Sequence, residues 1–182
     1  MLDPRGIEWG ESAECPARAN NVEAAIRRAG ASEIIAPDEF SEEKYLRLHA
    51  LDYLEFLKTV WQEWEASDEV GANARPDTFV GAGMRHNADT TCIVGKLGRY
   101  SFDATSPFVE GSWEAIRTSA NIALTGAEII KGSDRFAFSA CRPPGHHATE
   151  SYCGGYCYLN NNSLAAQYLL DSGASRVAIL DV

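Results

Sequence analysis

Apolar residues recur along this chain at helical spacing in several stretches and as short unbroken runs near its carboxyl end. Ala17 to Ala29 carries Val22, Ala25 and Ile26 on one stripe, with Gly30 as a stop signal, which predicts a helix. Ser41 to Trp64 is helical in composition, with a break expected near His49. Beyond the break, Asp52 followed by Glu55 has the capping-box pattern, and Leu54, Leu57 and Trp61 return at helical spacing. Two helices joined by a tight bend are therefore predicted there. From Ser112, the positions of Trp113, Ile116, Ala120, Ala123, Leu124 and Ala127 predict a helix to Lys131, with Gly132 as its stop.

The last third changes the period. Phe136 to Ala140 is a short apolar run between Asp134 and Pro143 and reads as a buried strand. Asn161 to Leu170 reads as a helix ended by Asp171, Ser172 and Gly173, and Arg176 to Val182 reads as a second strand. Strand, long crossover, helix and strand make a βαβ unit, so the fold class is α/β with parallel strands joined by a right-handed connection. Between Gly71 and Gly111 the pattern dissolves into Gly, Pro, Asn, Asp and Thr with scattered aromatics. An irregular loop of that length is functional or covers a partner surface.

Composition narrows the function classes. The chain has 182 residues, 45% hydrophobic, which suffices to bury a core and argues against disorder. No run approaches the roughly 18 apolar residues of a membrane span, and Asp3, Arg5, Glu8 and Glu11 interrupt any secretion signal, so a cytoplasmic protein without membrane contact is expected. A formal net charge of −10 disfavours nucleic acid and suits a cationic ligand such as an amine. The five cysteines, Cys15, Cys92, Cys141, Cys153 and Cys157, lack paired spacing, so reduced thiols are expected. Cys153 and Cys157 are four apart; buried packing is the reading preferred over structural zinc.

In parallel α/β sheets, ligand sites form beyond the carboxyl ends of the strands. The first predicted strand runs into Cys141, Arg142, Pro143, Pro144, Gly145, His146, His147 and Ala148, and the second ends in Asp181. The prolines and the glycine set the backbone direction where the imidazoles must be aimed. A buried carboxylate bonded to one imidazole would fix its tautomer and raise its pKa, suiting it to charge stabilisation or proton transfer near neutral pH. The residues alone leave open a catalytic or metal role for the pair and a structural histidine beside a surface one. Downstream, Gly154, Gly155, Tyr156, Cys157, Tyr158, Leu159, Asn160 and Asn161 combine permissive backbone with aromatics and amides at a helix start. Such glycines allow close backbone approach to a ligand, and a Tyr ring suits the wall of a narrow channel.

The runs Arg142 to Ala148, Gly154 to Asn161 and Val177 to Val182 together resemble the superfamily of histone deacetylases, acetylpolyamine amidohydrolases and acetoin-utilisation proteins, the bacterial acetylpolyamine branch above all. A weaker match runs through Pro16, Arg18, Leu48, His49, Asp52, Tyr53, Leu54, Phe56 and Leu57. The resemblance implies an arginase/deacetylase-like three-layer fold with a central parallel sheet, partial in this chain, and a zinc-dependent hydrolase of acetyl amides. By motif position it implies His147 as general base and acid and His146 as its electrostatic partner, held by Asp181, which also matches a monovalent-cation (K+) position. Gly155 and Tyr156 resemble the substrate-channel residues, the glycine carbonyl accepting a substrate N–H, and Arg142 the arginine near the acetate exit.

The departures matter as much. The family's zinc ligands fall past the position of Asp181, so none is expected among residues 1–182, which are read as the amino-terminal part of one deacetylase domain and as an inactive fragment. The segment from about 71 to 111 matches an insertion that builds a homodimer and narrows the channel, which favours small acetylated amines over acyl-lysine. The acidic residues with which that branch grips amine nitrogens fall at Val94 and Thr105, a departure for which Asp103 or Glu110 would have to substitute. The alternative reading is a truncated or degenerate binding or dimerisation module without chemistry.

Overall fold

A computed structural model describes residues 15–30, 33–69, 71–81, 90–132 and 134–182. It divides into two units, Met1–Ile35 and Ala36–Val182. The first contains α1, Pro16–Ala29, with Pro16 in its first turn and Gly30 closing it in the left-handed conformation through an N–H bond to the Arg27 carbonyl. No residue of α1 is buried, and Ile26 of the expected apolar stripe is half-buried.

The second unit holds the core. A 3₁₀ turn at Glu42–Arg47 leads through His49 into α2, Leu51–Glu65, so the predicted break is present. The capping box is not. The N-cap position is Ala50, without a side-chain cap. Asp52 lies inside the helix, where its carboxylate accepts from the guanidinium of Arg99 at 2.9 Å and the hydroxyl of Tyr100 at 3.0 Å. This carboxylate is drawn outward because a cation and a phenol on the neighbouring helix offer charge-assisted bonds that a cap does not. The inner face of α2 buries Tyr53, Leu54, Phe56, Leu57, Val60 and Trp64, each contributing about 1.5–3 kcal/mol of hydrophobic stabilisation where an aliphatic or Phe side chain is fully enclosed.

The stretch expected to be an irregular loop contains a helix. α3 spans Ile93–Tyr100 and packs on α2 through buried Ile93, Leu97 and Tyr100. Its two glycines, Gly95 and Gly98, hid it from propensity reasoning. The base of the stretch is closed by Ala74 and Phe108, which exchange backbone bonds of 2.8 and 2.9 Å and are both fully buried. Phe108 then stacks edge-on against Phe56 and Tyr158. The part of this stretch at 82–89 lies outside the described residues.

α4, Ser112–Lys131, and α5, Asn161–Asp171, match the predicted spans and pack on one another. The segments 136–140 and 176–182, expected as parallel strands, carry no ladder among the described residues, where only the isolated bridges Ala74 with Phe108, Ser101 with Cys153 and Gly154 with Cys157 occur. Phe136, Phe138 and Leu180 are 73%, 67% and 86% exposed. A strand is stable only when its backbone groups find a partner; neither segment is paired here, although Ala137 and Ser139 lie against Gly126 and Ile122 of α4.

Candidate active site

Asn160 organises the site. Its side-chain oxygen caps α5 by accepting from the Ser163 N–H at 3.0 Å, its amide donates to the Ala148 carbonyl at 2.8 Å, and its backbone N–H donates to Nε2 of His49 at 3.1 Å. One residue thus joins the start of α5, the histidine loop and the bend before α2. His49 is 3% exposed, and burial pushes its pKa below the ordinary value, so the neutral ring acts as a fixed acceptor.

The loop from Cys141 descends onto α4 and α5. The Ser119 hydroxyl donates to the Pro143 carbonyl at 2.6 Å, and the Asn161 amide reaches both that carbonyl and Ser119. The Arg142–Pro143 bond is cis. Gly145 is buried so tightly that an added Cβ would lie 2.4 Å from the Asn161 nitrogen and 2.6 Å from the Leu159 carbonyl oxygen. A turn closed by the Ala148 N–H on the Gly145 carbonyl then lifts His146 and His147 to the surface. Their rings lie 4.1 Å apart, inclined by 55°.

Gly155 and Tyr156 form the facing wall. Both are in the left-handed region, at φ 57° and 65°. A Cβ on Gly155 would sit 2.4 Å from Cδ2 of His147, so glycine is needed both for the backbone conformation and for the approach of the ring. Tyr156 is 37% exposed beside it. The Gly155 carbonyl accepts only a weak bond, from the Cys157 thiol at 3.3 Å. Cys153 is fully buried against Ser101 and the Tyr100 carbonyl, and burial pushes its pKa up to about 12.

The wall is held from behind by residues whose role the sequence did not reveal. The segment 100–107 tracks along 153–158: Cys153 N–H to the Tyr100 carbonyl, Phe102 N–H to the Cys153 carbonyl, Gly155 N–H to Oδ2 of Asp103 at 2.9 Å, Tyr156 N–H to Oγ1 of Thr105 at 3.3 Å, and Tyr158 hydroxyl to the Pro107 carbonyl. The only sequence signal was the spacing Asp103-Ala104-Thr105, which favours an Asx turn.

The structure therefore brings together His146, His147, Gly155 and Tyr156. Arg142 is exposed five residues before His147. Asp181 is exposed, and no hydrogen bond joins it to either histidine. Among the described residues no group of three or more His, Cys, Asp or Glu side chains is placed to hold a metal ion.

A family model described as the histone deacetylase domain matches residues 12–182. The chain belongs to the histone deacetylase domain family. It is 46% identical over 170 residues to acetylpolyamine amidohydrolase 1 of Pseudomonas aeruginosa, covering 93% of this chain and 49% of that protein. To the acetylpolyamine amidohydrolase of Mycoplana ramosa it is 41% identical over 171 residues, again 93% of this chain and 49% of that one. The solved acetylpolyamine aminohydrolase from Burkholderia pseudomallei superposes with a TM-score of 0.81 at 33% identity, covering 91% of this chain and 48% of that structure. The HDA15 HD domain, at 21% identity and a TM-score of 0.64, shares the fold. This member of the family thus spans about half the length of the relatives it matches, and its helices and loops superpose on a deacetylase fold although its predicted strands are unpaired.

Proposed function

We propose that the full-length protein hydrolyses the acetyl amide of small acetylated amines. The observation that carries this reading is the placement of His147: an exposed imidazole on a loop pinned at Gly145 and Ala148, without a hydrogen bond to any described residue, lying against Gly155. A structural histidine would be buried and tied into the fold, as His49 is through Nε2.

In this reading His147 takes a proton from the attacking water and returns it to the leaving amine, so that water and amide become acetate and free amine. His146 stabilises the charge that develops; its pairing with Asp181, with which it shares no hydrogen bond here, belongs to the reading through the family resemblance alone. The Gly155 carbonyl accepts the substrate N–H, Tyr156 flanks the alkyl chain, and Arg142 lies on the route by which acetate leaves. Zinc, and K+ at Asp181, belong to the reading through the family resemblance. The described residues do not form a metal-ligand set, and no step here is routed through either ion. The amine preference rests on the likeness to acetylpolyamine amidohydrolases and on the net charge of −10. Homodimer formation through the 71–111 segment and a cytoplasmic location belong to the same proposal; no helix among the described residues is long and apolar enough to cross a membrane.

The second reading is a non-catalytic binding or dimerisation module. Assay of the full-length protein on acetylputrescine, acetylcadaverine and an acetyl-lysine peptide separates these readings. Turnover of the amines above the peptide, lowered about 10²–10⁴-fold in H147A, supports the hydrolase. Turnover of the peptide equal to or better than that of the amines overturns the amine preference, and no turnover of any substrate supports the binding module.

A further inference from the structure

Gly155 and Tyr156 are successive residues in the left-handed conformation, one of them not glycine. A non-glycine residue in that region costs on the order of 1–2 kcal/mol and persists where its surroundings hold it. Two successive backbone N–H groups in such a turn make a small concave donor pair that suits an anion. Here the pair is filled from within the protein. Oδ2 of Asp103 accepts the Gly155 N–H at 2.9 Å, while Oδ1 accepts the backbone N–H and the hydroxyl of Thr105 at 2.9 and 2.8 Å. The Thr105 oxygen, its proton committed to Asp103, accepts the Tyr156 N–H at 3.3 Å.

We infer that Asp103 and Thr105 are positioning residues, a clamp that holds the Gly155–Tyr156 turn against His147. Oδ2 of the carboxylate bonds to the turn itself, and Oδ1 holds Thr105, which in its place accepts from the turn. These bonds give Asp103 a role other than the substitute amine-gripping group that its sequence position allows. The turn in turn meets the imidazole: the Gly155 Cα lies so close that a Cβ there would stand 2.4 Å from Cδ2 and 2.8 Å from Cγ of His147. The clamp also connects the 71–111 stretch to the histidine loop, because Asp103 follows directly on the end of α3 and on the Ser101–Cys153 bridge. A catalytic consequence rests on the reading of His147 as general base; the clamp itself does not.

The test uses the full-length protein with D103A, D103N, T105V and T105S. Amide exchange at Gly155 and Tyr156 and the NMR signals of the His147 ring report the clamp without reference to activity. Steady-state kinetics on a charged acetylated amine and on an uncharged acetyl amide report its consequence. The clamp predicts faster exchange at both amides and shifted His147 signals in D103A. It predicts a kcat lowered about 10- to 100-fold on both substrates alike, the scale of a reacting group misplaced by roughly 1 Å. D103N, with one acceptor oxygen, falls between, and T105S loses less than T105V. If D103A does not fold, D103N and T105V carry the same comparison. Unchanged exchange and unchanged His147 signals in a folded variant overturn the clamp. So does a loss confined to KM for the charged amine, which would place Asp103 on the substrate. A wild-type protein that hydrolyses neither substrate overturns the hydrolase reading, and exchange with the ring signals still decides the clamp.

Discussion

The backbone of Gly155 lies against the imidazole of His147, so that the smallest possible side chain at 155 would stand 2.4 Å from Cδ2 of the ring. That distance is below any tolerated carbon contact, and the neighbour is an imidazole on a loop pinned at Gly145 and Asn160. G155A is therefore expected to move the His147 ring and to cost roughly 1–2 kcal/mol from the left-handed backbone alone. Urea titration measures the second effect and kcat of the full-length protein the first, which should fall at least about tenfold. A G155A protein with wild-type kcat would show that His147 does not depend on this contact.

Gly145 is enclosed by backbone rather than side chain. The groups it would strike, the Asn161 nitrogen and the Leu159 carbonyl oxygen, belong to the start of α5 and cannot rotate away. G145A should destabilise the fold by about 1–3 kcal/mol, the range for overpacking an enclosed site. Chemical denaturation reads this directly, and a change under about 0.5 kcal/mol, the scale of an unconstrained surface site, would contradict the packing described.

His49 makes stability depend on pH. Its folded pKa lies below the ordinary 6.5 because burial disfavours the charged ring, outweighing the nearby Glu150 and Thr149 backbone groups. The unfolded chain therefore binds the proton first as pH falls. The contribution of His49 is fully present above about 6.5 and is lost as pH drops through that value toward the lower folded pKa. Protonation would also end the acceptor role of Nε2 toward Asn160. H49Q should show a shallower loss of stability between pH 7 and pH 5 than wild type; equal slopes would remove His49 from the acid response.

Thiol reactivity should sort the cysteines by burial. Burial pushes Cys153 up to about 12 and Cys141 up to about 11, so both stay protonated at neutral pH, whereas Cys92 is exposed. Brief alkylation under native conditions, read by peptide mass spectrometry, should label Cys92 and spare Cys153 and Cys141. Rapid labelling of Cys153 would show that the wall of 153–158 opens in solution.

Much of this architecture is legible in the residues themselves. Helices α4 and α5 and the break at His49 follow from periodicity and from stop residues, which act locally. The histidine pair, Gly155 and Tyr156 are recognisable because rigid and permissive residues cluster around them. The capping-box pattern at Asp52 misled, since its carboxylate is claimed by Arg99 and Tyr100, residues distant in sequence. α3 was hidden by its glycines, and its existence depends on the burial of Ile93 and Leu97 against α2.

By itself, the sequence determined the helical elements with strong period, the family, and which loop holds the histidine pair, because those depend on local propensity and on short motifs. Only the tertiary structure decided that Asp103 faces inward, that Gly155 meets His147, and that Asn160 ties three segments together. Each of these joins residues far apart in the chain, and their pairing is set by packing, which no local pattern encodes. The expected parallel sheet stands between the two: its apolar runs are written in the sequence, but a strand becomes a sheet only when another backbone completes its hydrogen bonds.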